Sequence, residues 1–134
     1  MEKSYLDEVC GENQEVNPLF TFLDARMEIP AKGEARLTLP VRRGLIQGGG
    51  VVAGGILAPM ADEAMAHAVM TLLGEGRSTV TVEMNIRYLR PAGPERKAML
   101  SSVARVVRSG ARLCMAEADV LDEENRLLAK AGAT

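Results

Sequence analysis

Alternating apolar and polar positions run through much of the chain, interrupted once by a stretch with helical spacing. From 34 to 41, Ala35, Leu37, Leu39 and Val41 alternate with Glu34, Arg36 and Thr38. That two-residue period predicts a half-buried strand. An earlier strand is expected near 24–30, with Gly33 in the turn between the two. Between 54 and 73 the period changes. Leu57, Ala61, Ala64, Met65, Ala68 and Leu72 recur at three- and four-residue intervals and share one helical face. Pro59 is tolerated in a first turn, so the helix should start close to Ile56; Gly74 and Gly76 end it. Alternation then returns. Val80, Val82, Met84, Ile86 and Tyr88 oppose Thr79, Thr81, Glu83, Asn85 and Arg87, which predicts a strand through this segment. Further strands are expected over 97–108, 111–121 and about 126–133, with turns at Ser109-Gly110 and in the acidic stretch from Asp122.

The order is therefore a strand pair, one long helix, then three or four antiparallel strands. A single alanine-rich helix against five or six strands is an α+β layout. Residues 1–16 read as a short helix or a loose arm, and 17–134 as one domain, the usual reading for 134 residues. Residues 42–53 form a loop in which Gly48, Gly49 and Gly50 add chain entropy.

Composition narrows the function classes. Hydrophobic residues make up 47% but aromatics only 3%, which implies an aliphatic core. The eight methionines fill gaps in that core or line a pliable apolar pocket. A net charge of −2 argues against a nucleic-acid binder. Arg87, Arg90, Arg96, Arg105, Arg108 and Arg112 form either a solvated strand face or a patch for an anionic ligand. Cys10 and Cys114 lie far apart without metal-type spacing, so two reduced thiols and no metal site are expected. Charged residues interrupt every apolar run before membrane-spanning length, and the N-terminal MEKSYLDEVCGEN is too acidic and polar for a signal peptide. A cytoplasmic protein with neither membrane nor nucleic-acid partner is expected.

Candidate chemistry concentrates in QGGGVVAGGILAPMADEAMAH, residues 47–67. Gly54 and Gly55 stand where free backbone N–H groups and the positive end of a helix dipole can meet an oxyanion. Asp62 lies about 100° from the middle of the apolar face, at its edge, where a carboxylate serves either structure or chemistry. Glu63 lies opposite the apolar face and can pair with His67 four residues on, which makes His67 a surface residue.

An amide side chain, a diglycine, Ile-Leu and Ala-Asp in this order resemble the PaaI-type (phenylacetate-degradation-type) acyl-CoA thioesterases of the hotdog-fold superfamily. TVTVEMNIRYLRPA, 79–92, resembles the strand after the helix in that family, and 106–134 is similar to its final hairpin. The resemblance covers about residues 20–134. It implies a hotdog fold, in which one long central helix is wrapped by a five- to six-stranded antiparallel sheet. It further implies hydrolysis of an acyl-CoA without any cofactor. In this role the Gly54 N–H polarises the thioester carbonyl, Gln47 positions that carbonyl or the water, and Asp62 is nucleophile or general base. Thr81 assists, and Gly55, Arg90 and Pro91 border the CoA portion. Where the family usually has His before the diglycine, this chain has Ala53, which implies a less firmly held loop.

Spacing adds a physical constraint. Eight residues on a helix separate Gly54 from Asp62 by about 12 Å at 1.5 Å per residue, so one chain cannot bring both to one carbonyl carbon. A site using both is shared between two subunits, a homodimer at least; the family resemblance implies a homotetramer. Two other readings remain. A hotdog dehydratase pairs a catalytic His with the acid, and His67 has the wrong spacing for it. A non-catalytic acyl or CoA-ester binding module would bind such esters without turnover.

Overall fold

The computed structural model describes residues 2–134. Its centre is the helix α3, Gly54–Met70, which follows two short helices, α1 (Tyr5–Val9) and α2 (Pro18–Leu23), and two strands, β1 (Arg26–Glu28) and β2 (Glu34–Pro40). Four strands come after it: β3 (Met84–Tyr88), β4 (Met99–Ser109), β5 (Cys114–Leu121) and β6 (Leu127–Ala133). All six strands form one antiparallel sheet in the order β1-β2-β4-β5-β6-β3.

α3 lies across the middle of this sheet, chiefly on β4, β2 and β5. Its small residues Ala61, Ala64 and Ala68 are fully buried, as are Leu37, Leu39, Ala104, Ala118 and Val120 from the strands. Alanine on alanine lets helix and sheet approach closely. The ladder slips between Val106 and Arg108 and again between Val120 and Leu121. Such bulges bend strands and help a sheet curve round a helix.

The other side of α3 is covered too. Asn17 caps α2 through the Phe20 N–H at 3.3 Å, Pro18 opens it, and Asp24 closes it in the left-handed region. Val9, Phe20 and Leu23 are buried in the core. The Phe20 and Tyr5 rings lie 5.2 and 5.7 Å from the His67 ring, between centroids. His67 is therefore only 1% exposed, not the surface residue its helical position predicts. One apolar face was counted from the spacing; the N-terminal segment supplies cover for a second.

Three further boundaries differ from expectation. The helix begins at Gly54 rather than near Ile56, which puts Pro59 inside it. Pro59 cannot donate to the Gly55 carbonyl, so the helix lacks one bond there. The segment 71–73 is turn, not helix. The strand expected from Thr79 starts only at Met84, because its partner β6 ends at Ala133. Val82 and Glu83 N–H groups close on the Thr134 carbonyl at 2.9 and 3.3 Å, and residues 79–81 have no partner strand among the described residues.

Candidate active site

The loop before α3 is tighter than its three glycines imply. Ile46 and Val52 form an antiparallel bridge. Between them the Gln47 N–H donates to the Val51 carbonyl and the Gly50 N–H to the Gln47 carbonyl, each at 2.9 Å. Gly50 sits at φ +86°, a conformation that favours glycine. The Gln47 side chain turns back within the loop, its Oε1 accepting from the Gly49 N–H. Backbone bonds hold the loop on both sides: Val52 N–H to the Ala92 carbonyl at 3.0 Å, and Ala53 N–H to the Leu45 carbonyl at 2.9 Å. The loop is thus fixed without a histidine at position 53.

Ala53 is the N-cap of α3 and offers no side-chain cap. Ile56 and Leu57 donate to the Ala53 carbonyl, while Gly54 and Gly55 N–H groups have no acceptor among the described residues. The sequence marks Tyr88, at the end of β3, only as a strand residue. Its hydroxyl donates to the Gly54 carbonyl at 2.8 Å, and its ring lies so close that a Cβ on Gly54 would stand 3.0 Å from Cζ. A side chain at position 54 would crowd that ring. The available signal was scarcity: the chain has two tyrosines, and each fastens one part of α3. With Tyr88 on Gly54 and Ala92 on Val52, the exposed Arg90 and Pro91 border the helix start.

Farther along the helix, Asp62 is half-buried and its Oδ1 accepts from the Thr81 hydroxyl at 2.6 Å. The hydroxyl fixes the carboxylate's orientation and leaves its second oxygen free for a proton. Asp62 and Thr81 thus meet, whereas Gln47, Gly54, Gly55, Arg90 and Pro91 gather at the other end. Both groups hang on one unbroken helix, and the spacing of about 12 Å follows from its rise.

The neighbouring titratable groups are bound up in packing. Burial, and then the Asp62 charge, raise the Glu63 pKa, while Asn17 opposes the shift. Burial lowers the pKa of His67. Its Nδ1 bonds the Glu63 carbonyl at 2.7 Å, and its Nε2 meets the Tyr5 hydroxyl at 3.0 Å. With Nδ1 protonated, the Tyr5 hydroxyl donates to Nε2, and no nitrogen is left to act as a base. Among the described residues, no three His, Cys, Asp or Glu side chains cluster as metal ligands would.

Six antiparallel strands round one long helix, with open amides at the helix start and an acid two turns on, define the class. A model of the thioesterase superfamily matches residues 49–129, from the loop to the first residues of β6. The chain belongs to this superfamily and has its hotdog fold. It is 31% identical to a protein of Sulfurisphaera tokodaii named "Putative esterase", over 92% of this chain and 90% of that one. It is 35% identical to a protein of the same description from Halobacterium salinarum, over 77% of this chain and 69% of the other. A mutant of the phenylacetic acid degradation protein PaaI from Thermus thermophilus superposes with a TM-score of 0.78 at 27% identity, over 87% and 96% of the two chains. Membership places the chain among thioester hydrolases. No helix among the described residues is long and apolar enough to cross a membrane.

Proposed function

We propose that the protein hydrolyses acyl-CoA thioesters at a site shared by two copies of the chain. The observation that carries this reading is the division of one helix into two half-sites: open Gly54 and Gly55 amides at its start, and the Asp62–Thr81 pair about 12 Å on. Neither half performs acyl transfer alone. Two helices running antiparallel bring the amides of one chain to the carboxylate of the other, twice per dimer. The sheet supports such an arrangement. β3 is an edge strand whose outer side is open to another chain.

A thioester needs little activation. Asp62 takes a proton from water as the water oxygen attacks the carbonyl carbon. The Gly54 N–H of the partner subunit, aided by the helix dipole, holds the oxyanion as it forms. Collapse breaks the C–S bond, and the proton on Asp62 passes to the departing CoA thiolate, leaving the free acid. Thr81 holds the carboxylate in line. Gln47 leaves its Gly49 bond to orient the carbonyl or the water. Arg90, with Pro91 and Gly55 beside it, meets the CoA phosphates as a cation without an ion-pair partner among the described residues. The assembly is a homodimer at least, and two dimers form a tetramer; the protein works in the cytoplasm.

The test is hydrolysis of a panel of aliphatic and phenylacetyl-type acyl-CoAs, followed by free thiol release. Asp62→Asn should lower turnover by about 10²–10⁴-fold, the usual worth of a positioned base, with its oligomeric state unchanged. Binding of CoA esters by the unmodified protein without any turnover would instead identify a non-catalytic binding module.

A further inference from the structure

Beyond Asp62 the same helix borders a cleft that bears on which acyl group enters the site, an inference that rests on the thioester-hydrolase reading above. The cleft, about 260 Å³, has Thr81 in its lining and runs between the C-terminal half of α3, the extended segment 77–82 and the β4–β5 turn. Met65 and Val69 form its helix wall, Leu73 follows in the turn after the helix, Val80 and Val82 form one lip, and Leu113 the other. None of the side chains lining it is acidic. Val80, Val82 and Leu113 are 78%, 66% and 59% exposed, so three apolar side chains round one cleft are left in water. Apolar ligand surface laid against them would be buried favourably.

We propose that this cleft receives the acyl chain and selects unbranched apolar chains of about eight carbons. Two measures agree. At roughly 30 Å³ for each water-sized group, a volume of about 260 Å³ holds roughly eight or nine methylenes. Length gives the same answer. Val69 lies about 10 Å past Asp62 along α3, at 1.5 Å per residue. An extended chain gains roughly 1.2 Å per atom, a third of the reach of one residue, so about eight carbons span that distance. Thr81 connects the two regions: it lines the cleft and its hydroxyl holds the Asp62 carboxylate. A chain lying in the cleft therefore presents its carbonyl end to Asp62 and its methyl end to Val69 and Leu73.

Cys114 lines the cleft as a half-buried free thiol and reports on occupancy without any catalysis. In a Cys10→Ser background, the rate of Cys114 alkylation by N-ethylmaleimide is measured against rising concentrations of butyrate, hexanoate, octanoate and decanoate. The concentration giving half-protection should fall about fourfold per methylene, from 0.8 kcal/mol each, and level off near octanoate. Leu113→Trp should move that break to a shorter chain. The kcat/KM values for the matching acyl-CoAs should break at the same length. No protection by any of the acids, or equal protection by all, overturns the cleft assignment even where acyl-CoAs are hydrolysed. If no acyl-CoA is hydrolysed, the catalytic reading fails instead, and protection alone decides the cleft. Cys114 already shielded without fatty acid, in a protein that sediments as a dimer, gives the cleft to a second copy and also overturns the assignment.

Discussion

At the start of α3 the residue in the capping position carries only a methyl group, and the Tyr88 hydroxyl reaches the Gly54 carbonyl from β3. Tyr88→Phe keeps the ring over Gly54 and removes this one bond. It should lower the unfolding free energy by about 0.5–1 kcal/mol, the low end for a neutral hydrogen bond that is part-exposed, measured by urea titration. An unchanged midpoint would remove Tyr88 from any role in holding the helix start. Ser102 shows the opposite case. Its side chain is fully buried between β2 and β5 positions, and its Oγ has no hydrogen-bond partner among the described residues. Ser102→Ala should raise stability by about 1 kcal/mol by deleting an unpaired buried hydroxyl; a loss would reveal a partner for that oxygen. Asp62 and Thr81 were legible only through the family resemblance, each matching a position within its own segment. Tyr88 was not, since a contact between the end of a strand and the start of a helix leaves no periodic trace.

Among the elements, α3 and β2 were legible from their periods, because the residues packed between helix and sheet recur at a fixed spacing in each. The α2 signal was present in Asn17-Pro18, a cap followed by a first-turn proline, but six residues are too short for periodicity to show. The alternation of 79–83 persists in sequence although the ladder stops, since pairing depends on where β6 ends. His67 was misplaced for a related reason: helical spacing cannot report that α1 and α2 cover the far side. That packing has a pH signature. Burial depresses His67 below its ordinary 6.5. Well above that value both states are neutral and no slope arises. Below it, the unfolded chain binds a proton that the folded one refuses, so stability falls as pH falls. Glu63, raised above its ordinary 4.5, acts in the opposite sense lower down, where the folded state takes up its proton first. Urea midpoints should therefore fall between about pH 7 and 5.5, the upper part of the His67 window, and His67→Gln should flatten that fall. The same slope in the variant would clear His67 of it.

For the whole molecule, the central claim is that a working site takes its amides from one chain and its carboxylate from another. Two variants isolate the halves. Gly54→Pro deletes the N–H at the first helical position, where proline is well tolerated, and Ala53 already has the extended backbone that must precede a proline. The Tyr88 ring must give by a few tenths of an ångström. Asp62→Asn deletes the base. Each variant alone should lose at least about 10²-fold in kcat. The decisive measurement is the acyl-CoA hydrolysis rate of the mixed dimer, one subunit of each variant, isolated through two different affinity tags. It carries one site with both halves intact and one with neither, so it should recover roughly half the unmodified activity, as two-fold symmetry requires. A mixed dimer as inactive as its parents would mean that each chain builds its site from its own Gly54 and Asp62, and the shared site would be wrong.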